Sequence, residues 1–226
     1  MDQRPRINPG ISTAQQVHDW LHDLILRGDL LPGTQLSESE IAGRVGVSRQ
    51  PVREAFIRLA GAGLTEVRPQ RGTFIGRISL REVLAVRAIR EAVESDMIRI
   101  LTQRMTDDIH RDLREQLDRQ RAAAVRRDVN GFVLLDNLFH RTLATAAGHE
   151  DVWHRIERMT SQMDRLRYLA VQTFEADALI EQHRDIVDAG ARGDAAGAEA
   201  AIRRHLRQLL EDLPRITSDR AEFFTD

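Results

Sequence analysis

Between Ser37 and Pro51 the chain carries two helix starts with two glycines between them, and few folds accommodate that spacing. Ser37, followed three residues later by Glu40, forms a capping box, in which hydroxyl and carboxylate satisfy the free N–H groups of a first turn. Gly43 weakens the helix that opens there and Gly46 ends it. Ser48 caps the next helix. Pro51 falls in its first turn, where a missing N–H costs nothing. This second helix is expected to run from about Ser48 to about Ala60. Its inward face is Val52, Phe56 and Leu59, and its outward N-terminal face is Ser48, Arg49, Gln50 and Arg53. Two short helices joined by a tight glycine-containing turn make a helix-turn-helix.

The flanking residues extend the motif. Upstream, Ser12 or Thr13 caps a helix with Val17, Trp20, Leu21, Leu24 and Ile25 at helical spacing, and Gly28 stops it. Pro32-Gly33 is a turn. Downstream, Leu64–Val67 and Thr73–Ile75 are β-prone, and the residues between them, "RPQRG", form a turn with Arg71 and Gly72 at its tip. A hairpin in that place is a wing. Helices of this kind present their N-terminal residues to base edges in the major groove. Arginine suits the task because its planar fork matches the two acceptors of guanine.

Charge agrees with this. The 226-residue chain has a formal net charge of −2, yet residues 44–71 hold six Arg against two Glu. A basic patch on a near-neutral chain points to a polyanion. With no cysteine, disulfides and thiolate metal sites are excluded. The start, "MDQRPRINPGIS", lacks the apolar core of a signal peptide, and no run approaches the ~18 apolar residues of a membrane span. The expected location is the cytoplasm.

From Ser79 onward the pattern is helical. Six helices are expected, at roughly 80–104, 106–127, 129–147, 150–171, 175–192 and 194–213. Pro214 should end the last and leave the remaining dozen residues loose. Polar groups sit on the apolar stripes of three of these helices. Phe132, Asp136, Phe139, His140 and Leu143 share a face, as do Ile180, His183 and Val187, and Ala198, Ala201, Ile202, His205, Leu206 and Leu209. One carboxylate and three imidazoles therefore point into the bundle, where unpartnered polar groups are costly. Asp136 and His140, at i and i+4, can hold one ion from a single helix. Two histidines from neighbouring helices complete a facing set. Three nitrogens and one oxygen suit zinc, nickel, manganese or iron(II). An interior hydrogen-bond network is the competing reading. The other histidines, His18, His22, His110, His149 and His154, are read as solvated or locally bonded.

The segment "GDLLPGTQLSESEIAGRVGVSRQPVREAFIRLAGAGLTEVRPQRGTFI" resembles the winged helix-turn-helix of the GntR family of bacterial transcription regulators. The pieces "REAVE", "DNLFHRTL", "EQHRDIVDAGARGD" and "AAIRRHL" are similar to the effector-binding FCD domain of that family's FadR branch. The implied fold is mostly α: an N-terminal winged helix-turn-helix over 11–77, then an all-α six-helix bundle over 79–214. The resemblance implies DNA contacts by Ser48, Arg49, Gln50, Arg53, Arg71 and Gly72. It also implies a divalent metal on Asp136, His140, His183 and His205. Arg90 is a candidate for pairing with the carboxylate of a small organic acid effector. A homodimer reading a near-palindromic operator, more often as a repressor, follows from two-fold symmetry. Two positions depart from the family pattern. Ser39 stands where members often carry arginine, and His149 where many carry asparagine. Two rival readings share the same residues: a regulator for which the ion itself is the signal, and a metal-dependent enzyme. The enzyme lacks an obvious general base beside the set and leaves 11–77 without a purpose.

Overall fold

The computed structural model describes residue 5, residues 7–173 and residues 176–226. The chain divides into two compact units, Met1–Leu80 with Arg220–Asp226, and Arg81–Asp219.

The first unit follows the punctuation of its sequence. Helix α1 (Thr13–Leu26) buries Val17, Leu21 and Ile25, and strand β1 (Gln35–Leu36) follows it. Helix α2 (Glu38–Val45) starts at Ser37, whose Oγ accepts from the Glu40 N–H at 3.4 Å. It stops at Gly46, whose φ of 78° is a left-handed cap that a side chain would strain. Helix α3 (Arg49–Gly61) buries Val52, Ala55, Phe56 and Leu59. These side chains pack with α1, Leu64 and Ile75 into one core. Strands β2 (Thr65–Arg68) and β3 (Gly72–Ile75) form the expected hairpin, and β1 adds to the other edge of β3. In its turn the Arg71 N–H donates to the Arg68 carbonyl at 3.0 Å. Pro69 and Gln70 (φ 61°) occupy the middle, the pattern of a type II turn.

Strand β4 (Ile78–Ser79) leads directly into the second unit. Its helices are α4 (Leu80–Arg104), α5 (Asp107–Val125), α6 (Val129–Ala146), α7 (Glu150–Glu157), α8 (Ser161–Thr173), α9 (Ala176–Ala191) and α10 (Ala195–Asp219). Among the described residues there are thus seven helices where six were expected. The expected helix over 150–171 breaks at residues 158–160. The Thr160 hydroxyl lies 3.0 Å from the Glu157 carbonyl and 2.8 Å from Asp164 Oδ2, so it ends one helix and starts the next. No glycine or proline marks that break. Residue 175, the expected start of the fifth helix, lies outside the described residues, as does much of the N-terminal segment read for a leader.

The C-terminus also departs from expectation. Helix α10 continues through Pro214 to Asp219. Pro214 brings no N–H for the Leu210 carbonyl, but that turn is exposed, and Ile216 is buried beyond the proline. The last residues are ordered. A 3-10 turn (Ala221–Phe223) leads to strand β5 (Phe224–Thr225), which pairs parallel with β4. Phe223 and Phe224 are both buried. The tail therefore belongs to the first unit, outside the 79–214 span. We expect Phe224→Ala to cost the first unit about 3 kcal/mol, the lower end for a buried phenylalanine, read as a lower urea midpoint. An unchanged midpoint would show that the tail adds nothing to that unit.

Candidate functional site

In the first unit, Ser48, Arg49, Gln50 and Arg53 share the exposed start of α3, and Arg71 and Gly72 form the exposed wing tip. The Ser48 hydroxyl makes no capping bond. Gly72 has a φ of 106°, and a Cβ there would come within 3.0 Å of the Gln35 amide, so glycine is required. Gln35 in turn donates to the Arg71 carbonyl at 3.0 Å and holds the tip in place. The two arginines are not bare. Glu38 accepts from Arg49 Nη2 at 3.0 Å and from Arg53 Nε and Nη2 at 3.0 and 3.2 Å. The Arg53 hydrogen bond lowers the Glu38 carboxyl below its ordinary range. Even so, the Arg49 and Arg53 side chains stay 65% and 57% exposed. Glu38 lines up two guanidinium groups without hiding them. Ser39 bonds the Ser37 hydroxyl at 2.9 Å and belongs to the α2 cap.

In the second unit, Asp136, His140, His183 and His205 come together, each offering a ligand atom within 4.8 Å of the others. All four are buried. The Nε2 atoms of His183 and His205 are 3.3 Å apart, those of His205 and His140 3.2 Å. Asp136 Oδ1 is 3.4 Å from His183 Nε2.

The surroundings assign the protons. His140 Nδ1 faces Glu94 Oε2 at 2.6 Å, His183 Nδ1 faces Gln120 Oε1 at 2.9 Å, and His205 Nδ1 faces Gln182 Oε1 at 3.0 Å. The two amides are oriented by their other ends. Gln120 Nε2 donates to the Leu135 carbonyl and Gln182 Nε2 to Gln208 Oε1, each at 3.2 Å. Oxygen therefore faces each ring, and each Nδ1 must donate. A neutral imidazole with Nδ1–H has only a lone pair at Nε2. The three Nε2 atoms then turn towards one another and towards the Asp136 carboxylate.

Charge sharpens this picture. Burial pushes His183 down to about 3, against the pull of Asp136. Burial, with His183 and His140 beside it, takes His205 well below its usual value. Burial would raise Asp136, but Arg167, His140 and His183 outweigh it and hold the carboxyl at about 2. Glu94 is likewise held at about 2, burial being overcome by Arg90 and His140. Three imidazole Nε2 atoms and a carboxylate at this separation are a donor set that fits a divalent metal ion.

A cavity opens beside the array, lined among others by Arg87, Arg90, Arg167, His205 and Asp212. Arg90 is 1% exposed and its Nε donates to Glu94 Oε1 at 2.5 Å, so its charge is spent on holding Glu94 against His140. Arg167, which the sequence did not single out, lies 3.0 Å from Asp136 Oδ2. Its only sequence signal was its place three residues after Asp164 on a helix with mixed polarity. His149 precedes α7 without a side-chain cap.

Comparisons with known proteins agree with both units. Residues 13–75 match the bacterial regulatory proteins of the gntR family, and residues 85–208 match the FCD domain. The chain is 34% identical over its full length, and the full length of the relative, to the HTH-type transcriptional repressor RspR of Escherichia coli. It is 35% identical over 95% of its length to an HTH-type transcriptional regulator in an unstable DNA locus of Streptomyces ambofaciens, of which 91% is covered. Escherichia coli McbR/YncC shares the fold, with a TM-score of 0.75 at 21% identity over 91% of this chain and 98% of that one. These relatives are regulators, not enzymes. The chain belongs to the GntR family and is a DNA-binding transcriptional regulator with a C-terminal FCD domain.

Proposed function

We propose that this protein is a homodimeric repressor whose grip on a near-palindromic operator is set by a small organic acid bound next to a metal ion in the FCD domain. The carrying observation is the set of three imidazole lone pairs and one carboxylate at the edge of an arginine-lined cavity. Asp136, His140, His183 and His205 would hold a divalent transition metal, zinc, nickel, manganese or iron. Such an ion supplies Lewis-acid attraction for a carboxylate. Arg167 screens Asp136 and offers the acid a second cation. Arg90 acts one step back, fixing Glu94 and through it the His140 ring.

At the other end of the chain, each subunit would set the start of α3 in a major groove. Arg49 and Arg53 reach base edges or phosphate, Ser48 and Gln50 flank them, and Arg71 with Gly72 touches the backbone from the wing. Glu38 keeps the two guanidinium groups parallel before DNA arrives and lowers their attraction for phosphate in general. The protein would act in the cytoplasm, where its operator is. The acid must bind the DNA-competent and DNA-incompetent arrangements unequally, or nothing switches.

Arg49→Ala should weaken operator binding about 5- to 150-fold at fixed salt, from ~1–3 kcal/mol per lost bidentate base contact. An unaltered footprint at unaltered affinity would remove α3 from the interface. His183→Ala should strip bound metal from the purified protein, read by elemental analysis. A wild type that purifies and reloads without metal would dismiss the metal. Apo protein should also lose stability as pH falls from about 6.5 towards about 3, because the unfolded chain takes up protons that buried His183 and His205 refuse. The slope is at most about 1.4 kcal/mol per pH unit for each imidazole. Urea midpoints at pH 7.5 and 5.5 that coincide in the presence of chelator would contradict the neutral, buried array.

A further inference from the structure

We propose that the effector carries a hydrogen-bond donor at the end remote from its carboxylate, and that Asp212 is the residue that selects it. This rests on the reading of the bundle as the site of an acid effector. One wall of the cavity is a face of α10 that runs from His205 through Leu209 to Asp212. Seven residues at 1.5 Å each separate the two ends by about 10 Å. The two ends differ in chemistry. At the His205 end stand the candidate metal ligands and Arg167, the place for a carboxylate. The middle is apolar, with Leu179, Leu206 and Leu209 on the cavity wall. At the far end is the Asp212 carboxylate.

Asp212 is half-buried. Among the described residues Gln208 Nε2 donates to its Oδ1 at 3.2 Å, and the Arg215 guanidinium acts on it electrostatically. A carboxylate has room for several donors, so this group is left with acceptor capacity facing the cavity. Arg87, which also lines the cavity, pairs through Nη1 with Glu91 on its own helix, while its Nε is left without a hydrogen-bond partner among the described residues. A purely alkyl tail would cover Asp212 and leave it unsatisfied. A second carboxylate would be repelled by it. A hydroxyl or an ammonium would bond to it.

Length narrows the class further. About 10 Å less a hydrogen bond of about 3 Å at each end leaves roughly 4–5 Å. An extended chain advances about 1.2 Å per bond. The effector is therefore an acid of about three to four carbons with a terminal or near-terminal hydroxyl or ammonium group.

The full-length protein, reloaded with zinc, would be titrated by calorimetry and thermal shift with butyrate, 4-hydroxybutyrate, 4-aminobutyrate and succinate, and with the three-carbon set propionate, 3-hydroxypropionate, 3-aminopropionate and malonate. At least one donor-bearing acid should bind 10-fold or more tighter than its alkyl counterpart, and the diacids should bind worst. Asp212→Leu should erase that preference while leaving the alkyl acids within about twofold. Asp212→Asn should keep the preference for a hydroxyl and lose that for an ammonium, which tells the two sources apart. Circular dichroism and zinc content of both variants exclude misfolding as the cause. Alkyl acids or diacids binding as well as the donor-bearing ones would overturn the assignment of Asp212 and leave the acid site standing. No binding by any acid of the panel would overturn the acid site itself, and this inference with it.

Discussion

Three imidazole Nε2 atoms turned towards one another inside a helical bundle are the constraint around which the second unit is organised. Each lone pair exists because the opposite nitrogen of the ring donates to a fixed oxygen, and each of those oxygens has its own anchor. Glu94 is held by Arg90, Gln120 by a backbone carbonyl on α6, and Gln182 by Gln208. Five helices, α4, α5, α6, α9 and α10, thus contribute to one set of ring orientations. Packing supports the rings as well. Phe139 stacks on His183 with centroids 4.3 Å apart, and Trp153 lies parallel to His140 at 6.1 Å. Such a shell keeps acceptors close together that would otherwise turn away from one another. A cation at their centre would relieve that opposition, so ligation and the packing of the bundle are linked.

The first unit uses charge differently. Arg49 and Arg53 remain in water and are aligned by a single carboxylate, Glu38, on the preceding helix. An exposed ion pair of this sort contributes little to stability. Its value lies in orientation, since two long side chains already ordered lose less entropy on meeting a duplex. The tail that returns to β4 is the covalent continuation of the helix bearing His205. One helix therefore connects the candidate metal array to a strand of the DNA-binding unit through an unbroken backbone.

Local signals made the first unit readable from the sequence. Caps, glycines with positive φ and a proline in a first turn all act over a few residues, and α2, α3 and the hairpin appear where those signals put them. The four-residue array was readable for a related reason. Helical periodicity places Asp136, His140, His183 and His205 on inward faces, and residues that point into one bundle have few places to go. The break at Thr160 was not readable, because a hydroxyl closing on Asp164 leaves no mark as strong as glycine. The run of α10 past Pro214 was hidden for the opposite reason. Proline usually stops a helix, and only the burial of Ile216 and of two phenylalanines beyond it makes the continuation favourable.

By itself, then, the sequence determined which segments are helical, which faces turn inward and which residue types meet in the bundle, because periodicity and capping are properties of neighbours in the chain. Tertiary structure alone decided the partners. That Glu38 takes both Arg49 and Arg53, that Glu94 meets His140 while Arg167 stands beside Asp136, and that Asp212 faces the cavity all depend on groups far apart in the chain being brought within about 3 Å to 10 Å of one another. No spacing rule encodes such distances, because they are set by how the helices pack.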